Sequence, residues 1–375
     1  MYIPTSPFLD ISQAISAFRR VSYADQTWQI LPEDRVVWFS RGRWALNELV
    51  LGFAKPNIRA SKTILIPEYF CNSALLPLRK SGINLCFYKI DTQLEPDIDY
   101  LDTIIKTGVK PDVLLFVHYF GIPLNLEPAL NWCNKHGVLL VEDAAHTITP
   151  VPGIGGYSCP VIYTPWKFFN LLEGALLVLP QKLKGVLEDF SSKKGYSIDF
   201  WKWLAKRVTY TLTGRMKLSL HGLRKIDKKT FAKNGLSPFL GSSLCSSPFI
   251  AIITQLEGKL ERCRVIRERN FRCLNNIFSG KNFEAEPIFK ILPNKFGPYL
   301  YPLRIRNGRT VEIMALLNRR GISAHPWPDL SPEVLNASSF PIANILRKEV
   351  LTLPVHQNIT ESQAENMARE VINLL

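Results

Sequence analysis

The seven cysteines of this chain include no CxxC pair, so neither a zinc ribbon nor a dithiol redox centre is written into it. Scattered thiols of this kind suit a reducing cytoplasm better than a disulfide-stapled secreted fold. The opening stretch, MYIPTSPFLDISQAISAFRR, lacks a basic leader followed by a long apolar segment, and a cytoplasmic protein without a secretion signal is expected. The two sequons at Asn336 and Asn358 then carry no expectation of glycosylation. No apolar run approaches the length that spans a bilayer. Internal repeats and low-complexity tracts are missing. So are the aromatic and glycine pattern of an RNA-binding sheet and the paired ligands of a zinc finger, and nucleic acid is not expected as a partner.

What is present is a chain of 375 residues, 46% hydrophobic and 21% charged, ordinary for a globular protein. That length exceeds what one hydrophobic core usually serves, so two domains are expected. The formal charge is +14 but is unevenly placed: residues 181–235 hold fourteen Lys or Arg against four acids. A local basic surface follows, rather than a protein built throughout to grip a polyanion.

Short apolar runs alternate with helical patterns. TILIP (63–67), NLCFYKI, DVLLFVHYFG (112–121) and VLLVEDAA read as buried strands; LPLRKSGI and LEPALNWCNKHG between them read as helices. SRGRWALNELVLGFA (40–54) starts on Ser and Gly and then places apolar residues at helical spacing. Continuous apolar strands separated by helices imply an α/β fold with a mostly parallel sheet covered on both faces, and ligands gather at the carboxyl ends of such strands. The segment 181–245 changes character, with Phe200, Leu204, Val208, Leu212 and Met216 on one helical stripe beside basic residues and Trp201 and Trp203. A long helix is expected over 250–275. A small α/β unit follows, with a strand at 299–305, a helix over VEIMALLNRRGI and a last helix opened by a capping box at Thr360 and Gln363. The expected division is 1–245 for a large domain and 246–375 for the long helix and the small domain.

The stretch VLLVEDAAH (138–146) ends an apolar run on adjacent carboxylates, Glu142 and Asp143, followed by His146. The stretch VIYTPWKFFNLLEGALLV (161–178) places Lys167 between Trp166 and Phe168 at another strand exit. Each residue alone admits a plainer reading: a solvated acid, a hydrogen-bonded histidine, a surface lysine whose stem lies on a ring. Together, twenty-four residues apart and both at strand exits, Asp143 and Lys167 say more. A lysine among aromatics loses its proton more readily because desolvation disfavours the ammonium. A neutral amine is what Schiff-base chemistry requires, and a carboxylate is what keeps a pyridine nitrogen protonated. Pyridoxal 5'-phosphate asks for both, and for phosphate donors, which the start of the 42–54 helix can offer.

From about residue 35 onward the sequence resembles the DegT-type (DegT/DnrJ/EryC/StrS) sugar aminotransferases, fold-type I pyridoxal-phosphate enzymes. The resemblance rests on RGRWAL, IPEYFCNSALLPLRKSGINLCFYKID, VHYFGIPLNLEPALNWCNKHGVLLVEDAAH, QLEGKLERCRVIRERN and LTLPVHQNITESQAENM, in that order. It implies a large domain with a mostly parallel sheet and a smaller C-terminal α/β domain, working as a homodimer. It implies a Schiff base at Lys167, Asp143 on the pyridine nitrogen, His146 on the ring hydroxyl, and transfer of an amino group, glutamate being the usual donor, to a keto sugar carried on a nucleotide diphosphate. A branch of the family has histidine for the lysine and performs dehydration; this chain keeps lysine.

The departures fall on the phosphate cradle. Where the family has Ser five residues before the lysine, this chain has Ile162; the turn Thr is Arg43; the Asn of an Asn-Tyr-Arg/Lys segment falls near Gly241 in LGSSLC (240–245). Arg43, the amides of Gly42 to Trp44, and Thr164 or Ser242 are expected to take over, a guanidinium giving paired charge-assisted bonds. Phe70 is the expected aromatic against the cofactor ring, with Tyr69 beside it, although strict register puts Cys71 there. Two other readings stay open: a related enzyme acting on a different carbonyl, and a regulatory protein that binds the cofactor without turnover. The basic segment with its tryptophans also suits peripheral contact with an anionic membrane.

Overall fold

The computed structural model describes residues 2–7, 15, 17–18, 27–53, 62–187, 198–216, 243–280 and 284–375, with side chains of the helix over 198–216 described as far as Val208. Seven strands form one sheet: β1 (Arg35–Phe39), β2 (Thr63–Pro67), β3 (Asn84–Tyr88), β4 (Val113–Val117), β5 (Leu139–Ala144), β6 (Val161–Tyr163) and β7 (Ala175–Leu179). Their order is β1-β7-β6-β5-β4-β2-β3. The pairs from β3 through β6 are parallel, while β7 runs antiparallel to both β6 and β1. The mostly parallel sheet expected from the apolar runs is present.

Most of the strands that were legible are buried on both faces. Val113 to Phe116 are fully buried, each side chain worth about 1.5–3 kcal/mol over exposure. The helix Glu127–His136 stops because Gly137 takes a left-handed φ of 66° as its C-cap, which returns the chain into β5. Among the elements that escaped the sequence reading are β1 and the helix Ile98–Lys106. β1 is a five-residue strand whose outer half is only partly buried. The helix Ile98–Lys106 is short but well capped, Asp97 accepting from the Tyr100 amide at 3.0 Å.

A second sheet, of β8 (Ala285–Pro287), β9 (Leu300–Ile305), β10 (His325–Pro326) and β11 (Val350–Pro354), is antiparallel throughout in the order β10-β11-β9-β8. The two sheets fall on either side of residue 245, but the first residues pack with the second: Ile3 exchanges backbone bonds with Gly321 and Ser323 at 2.8 and 2.9 Å. The helix Ser247–Ser279 spans the boundary. On it the buried Arg267 donates to Phe168 O (3.1 Å), Pro298 O (3.3 Å), Tyr299 O (3.2 Å) and Gln357 Oε1 (2.9 Å), which locks the lysine turn of the first sheet to β9 of the second. The expected capping box is formed: Gln363 N donates to Thr360 Oγ1 at 3.2 Å and Thr360 N to Gln363 Oε1 at 3.0 Å.

The basic segment is described only in part. Its helix Ile198–Met216 exists, but the apolar stripe does not run straight. Phe200 and Trp203 are buried, Val208 is 41% and Trp201 46% exposed. Steps of four residues advance a helix by more than a full turn, so such a stripe drifts by about 40° per step and Val208 has left the buried face. The Leu212 and Met216 side chains, Gly241 and Ser242 lie outside the described residues. Among the described residues no helix is long and apolar enough to cross a membrane.

Candidate active site

Because β1 runs parallel to β6, the ends of β1, β2, β4, β5 and β6 all open on one side of the first sheet. They line a cavity of about 470 Å³, closed from above by Tyr299, His325 and Trp327 of the second sheet and its loops. The cavity lies where the strand order turns back between β2 and β4, the usual place for a ligand in an open α/β sheet.

Alternation along β5 separates the two adjacent carboxylates. Glu142 turns into the core, where it is fully buried; its Oε2 accepts from Gly155 N at 2.9 Å and lies 3.0 Å from His118 Nε2. Leu124 N donates to His118 Nδ1 at 3.2 Å, leaving the ring proton on Nε2 to face Glu142. Asp143 turns the other way, into the cavity, with Oδ1 accepting from Ala145 N at 2.8 Å. Burial pushes its carboxyl above the usual range, opposed by Lys167, the Ala145 amide and His118.

Lys167 lies in the single turn Trp166–Phe169 that follows β6, its own amide bonded to Thr164 O at 3.1 Å. It shares the cavity with Asp143, and its Nζ lies 5.7 Å from the centre of the Tyr299 ring. Burial draws its ammonium below the ordinary lysine value and Arg41 adds to that, while Asp143 and Cys71 oppose it. A cation and an anion held out of bulk water in one cavity are each other's main electrostatic support.

His146 stands between Phe120, Tyr299 and Trp327, with ring centres 5.9, 5.2 and 5.1 Å away. Its Nδ1 accepts from Phe120 N at 3.2 Å, so Nε2 carries the proton, and burial followed by the Lys167 charge keeps the ring neutral. Gly121 makes this approach possible: a Cβ there would lie 2.2 Å from His146 O, at a φ of 86°.

On the β2 side, Phe70 and Cys71 both line the cavity, whereas Tyr69 points away and donates to Trp327 O at 2.5 Å. The Cys71 thiol is tied to Asp329 Oδ1 at 2.7 Å and is pushed up to about 12, by burial and then by that carboxylate.

The expected phosphate donors divide. Gly42 and Arg43 line the cavity. Trp44 does not: its amide closes the first helical turn on Arg41 O at 3.0 Å, as an amide one residue deeper in a helix tends to do. Thr164 lines the cavity, but its hydroxyl proton goes to Ala145 O at 2.7 Å, so that proton is not offered to a ligand. Arg43 donates to Ser73 O at 3.2 Å. Missed altogether was Arg41, whose Cζ sits 3.7 Å from the centre of the Trp166 ring and whose buried Nε has no hydrogen-bond partner among the described residues. Its neighbour Gly42 in the same turn was the available signal. Tyr299, His325 and Trp327 were missed too, because nothing local marks which residues of the second sheet face the first.

Tested against this cavity, a pyridoxal phosphate meets a half-buried amine, a half-buried carboxylate, an aromatic wall and a guanidinium whose Nε has no partner among the described residues; the donor set fits the group.

Residues 45–151 match the sequence model of the DegT/DnrJ/EryC1/StrS aminotransferase family. Over an alignment of 380 positions the chain is 21% identical to a UDP-4-amino-4,6-dideoxy-N-acetyl-beta-L-altrosamine transaminase of Helicobacter pylori (strain ATCC 700392 / 26695), covering 97% of this chain and 92% of that protein. Among solved structures, the Helicobacter pylori aminotransferase PseC, involved in the biosynthesis of pseudoaminic acid, superposes with a TM-score of 0.70 at 17% identity over 99% of this chain and 98% of its own. The PLP-form of Spr1654, a putative sugar aminotransferase from Streptococcus pneumoniae, does so with a TM-score of 0.66 at 14% identity over 100% and 98%. The likeness to that family's model spans residues 45–151, and the superposition on these two solved structures shows a shared fold along almost the whole chain.

Proposed function

We propose that this protein is a pyridoxal-phosphate-dependent aminotransferase that moves an amino group from an amino acid, glutamate being the expected donor, to a keto sugar linked to a nucleotide diphosphate. The observation that carries the reading is Lys167 and Asp143 in one cavity at neighbouring strand exits. The substrate class draws support from the full-length similarity to a transaminase of a UDP-linked sugar.

When bound, the cofactor supplies an aldehyde for imine chemistry and a protonated ring that takes up electron density from the substrate carbon. Lys167 would join the aldehyde and, once released, move the proton at that carbon, its amine made available by desolvation. Asp143 would hold the ring nitrogen protonated; Oδ1 is oriented by the Ala145 amide. His146, fixed as the Nε2–H tautomer by Phe120 N, would donate to the ring hydroxyl. Phe70 and the residues above the cavity, Tyr299 and Trp327, would keep water from the reacting atoms. The protein would work as a homodimer in the cytoplasm. Protein reconstituted with cofactor should absorb in the visible, and glutamate should bleach that band. Colour without bleaching would favour a cofactor-binding regulatory protein or another donor.

The exposed Trp201 and Phe18, with ring centres 5.9 Å apart, adjoin Ile198, Lys202 and Lys206. They support peripheral contact with an anionic membrane. Co-sedimentation with vesicles containing anionic lipid is expected at low salt and should fall with added salt; no binding at low salt would end the idea.

A further inference from the structure

The cavity is lined by more cationic than anionic side chains. Arg41, Arg43 and Lys167 line it, against the one carboxylate of Asp143. Of the other titratable groups in the wall, His146 is held neutral by burial and the Cys71 thiol stays protonated. Much of the remaining wall is apolar, with Leu46, Phe70, Ile162 and Trp166.

Arg41 is the anomaly within this set. Stacking on Trp166 at 3.7 Å fixes the plane of the guanidinium, and its buried Nε is without a hydrogen-bond partner among the described residues. The carboxylate that bears on it, Glu173, instead accepts from Ser246 N at 2.8 Å. Burial, and then the like charge of Arg43, draw Arg41 down to about 10. A fork of donors held rigid, desolvated and beside a second guanidinium is arranged for a planar pair of anionic oxygens. Of the neutral side chains at this exit, Thr164 donates to a backbone carbonyl and Ile162 offers no donor, which leaves the Gly42 amide beside the two arginines.

We infer that Arg41, stacked on Trp166 and acting with Arg43, is the principal anchor of a phosphate dianion in this cavity. This rests on the function proposed above and names the residue that holds the cofactor's phosphate. The excess charge of the wall matches a dianion, and the site sits where the turn after β1 delivers both arginines, so the neutral cradle is replaced by a charged one.

The test compares pyridoxal 5'-phosphate with pyridoxal, which has the same ring and aldehyde but no phosphate, by titration into apoprotein with tryptophan fluorescence and visible absorbance as readouts. Wild-type protein should bind the phosphorylated form much more tightly, and inorganic phosphate should compete with it. Arg41→Met, which keeps an apolar stem on Trp166, should lower that preference roughly tenfold or more while leaving pyridoxal binding unchanged, and should abolish competition by inorganic phosphate. Arg41→Gln carries the same expectation should methionine disturb folding. An unchanged preference in both variants, with or without a raised KM for glutamate, overturns the assignment of Arg41 alone. Failure of wild-type protein to bind either compound removes the proposed function and this inference with it.

Discussion

The exits of β5 and β6 and the exit of β1 open into one cavity, yet they are built by different rules. At β5 and β6 a cation and an anion balance, each held by backbone: Asp143 by the Ala145 amide, the Lys167 turn by Thr164 O and, one residue on, by Arg267. At β1 two guanidiniums stand close together, one against an indole and one donating to a backbone carbonyl. The first corner holds opposite charges that support each other; at the second, the Arg41 guanidinium is the group a ligand anion would meet. Reactive groups therefore tolerate little change, whereas an anion subsite can exchange neutral donors for charged ones as long as the oxygens are met.

The comparison can be broken at its strongest point first. Lys167→Ala should lower turnover by about 10²–10⁴ or more and abolish fixation of the cofactor by borohydride, read by steady-state assay and mass spectrometry. Asp143→Asn keeps the shape and removes the charge. It removes the charge proposed to hold the ring nitrogen protonated, and a loss on the order of 10²-fold in kcat, about 3 kcal/mol, is expected. If Asp143→Asn were as active as wild type, the pairing of charges at this corner would be without consequence. At the other corner Thr164→Val should cost about 1 kcal/mol of stability by thermal denaturation, through its lost bond to Ala145 O, and should leave the preference for phosphorylated over unphosphorylated pyridoxal in place. A preference that fell with Thr164→Val would return the phosphate to neutral donors and erase the contrast.

The same contrast explains what could be read in advance. The strands buried on both faces announce themselves as apolar runs, and an acid or a lysine that interrupts the end of such a run stands out, as Asp143 and Lys167 do. Glu142 stood out equally, and only the two-residue alternation of β5 separates its structural role from that of its neighbour. The capping box at Thr360 was legible because its chemistry is contained in four residues. The charged subsite was half legible: Arg43 falls at the turn, but the role of Arg41 depends on Trp166, which lies more than a hundred residues away. Tyr299, Trp327 and the Asp329 carboxylate that holds Cys71 arrive from the second sheet, and such contacts leave no local pattern. The apolar stripe named on the helix Ile198–Met216 leaves the buried face by Val208, because four-residue steps overrun a helix of 3.6 residues per turn.

The central claim is that the amine at position 167, facing the carboxylate at 143, is where the cofactor is joined. Borohydride reduction of the cofactor-loaded protein followed by peptide mapping tests it directly. The account predicts one modified peptide, with the added mass on Lys167. Modification of a different lysine, or of none in protein saturated with cofactor, would contradict it.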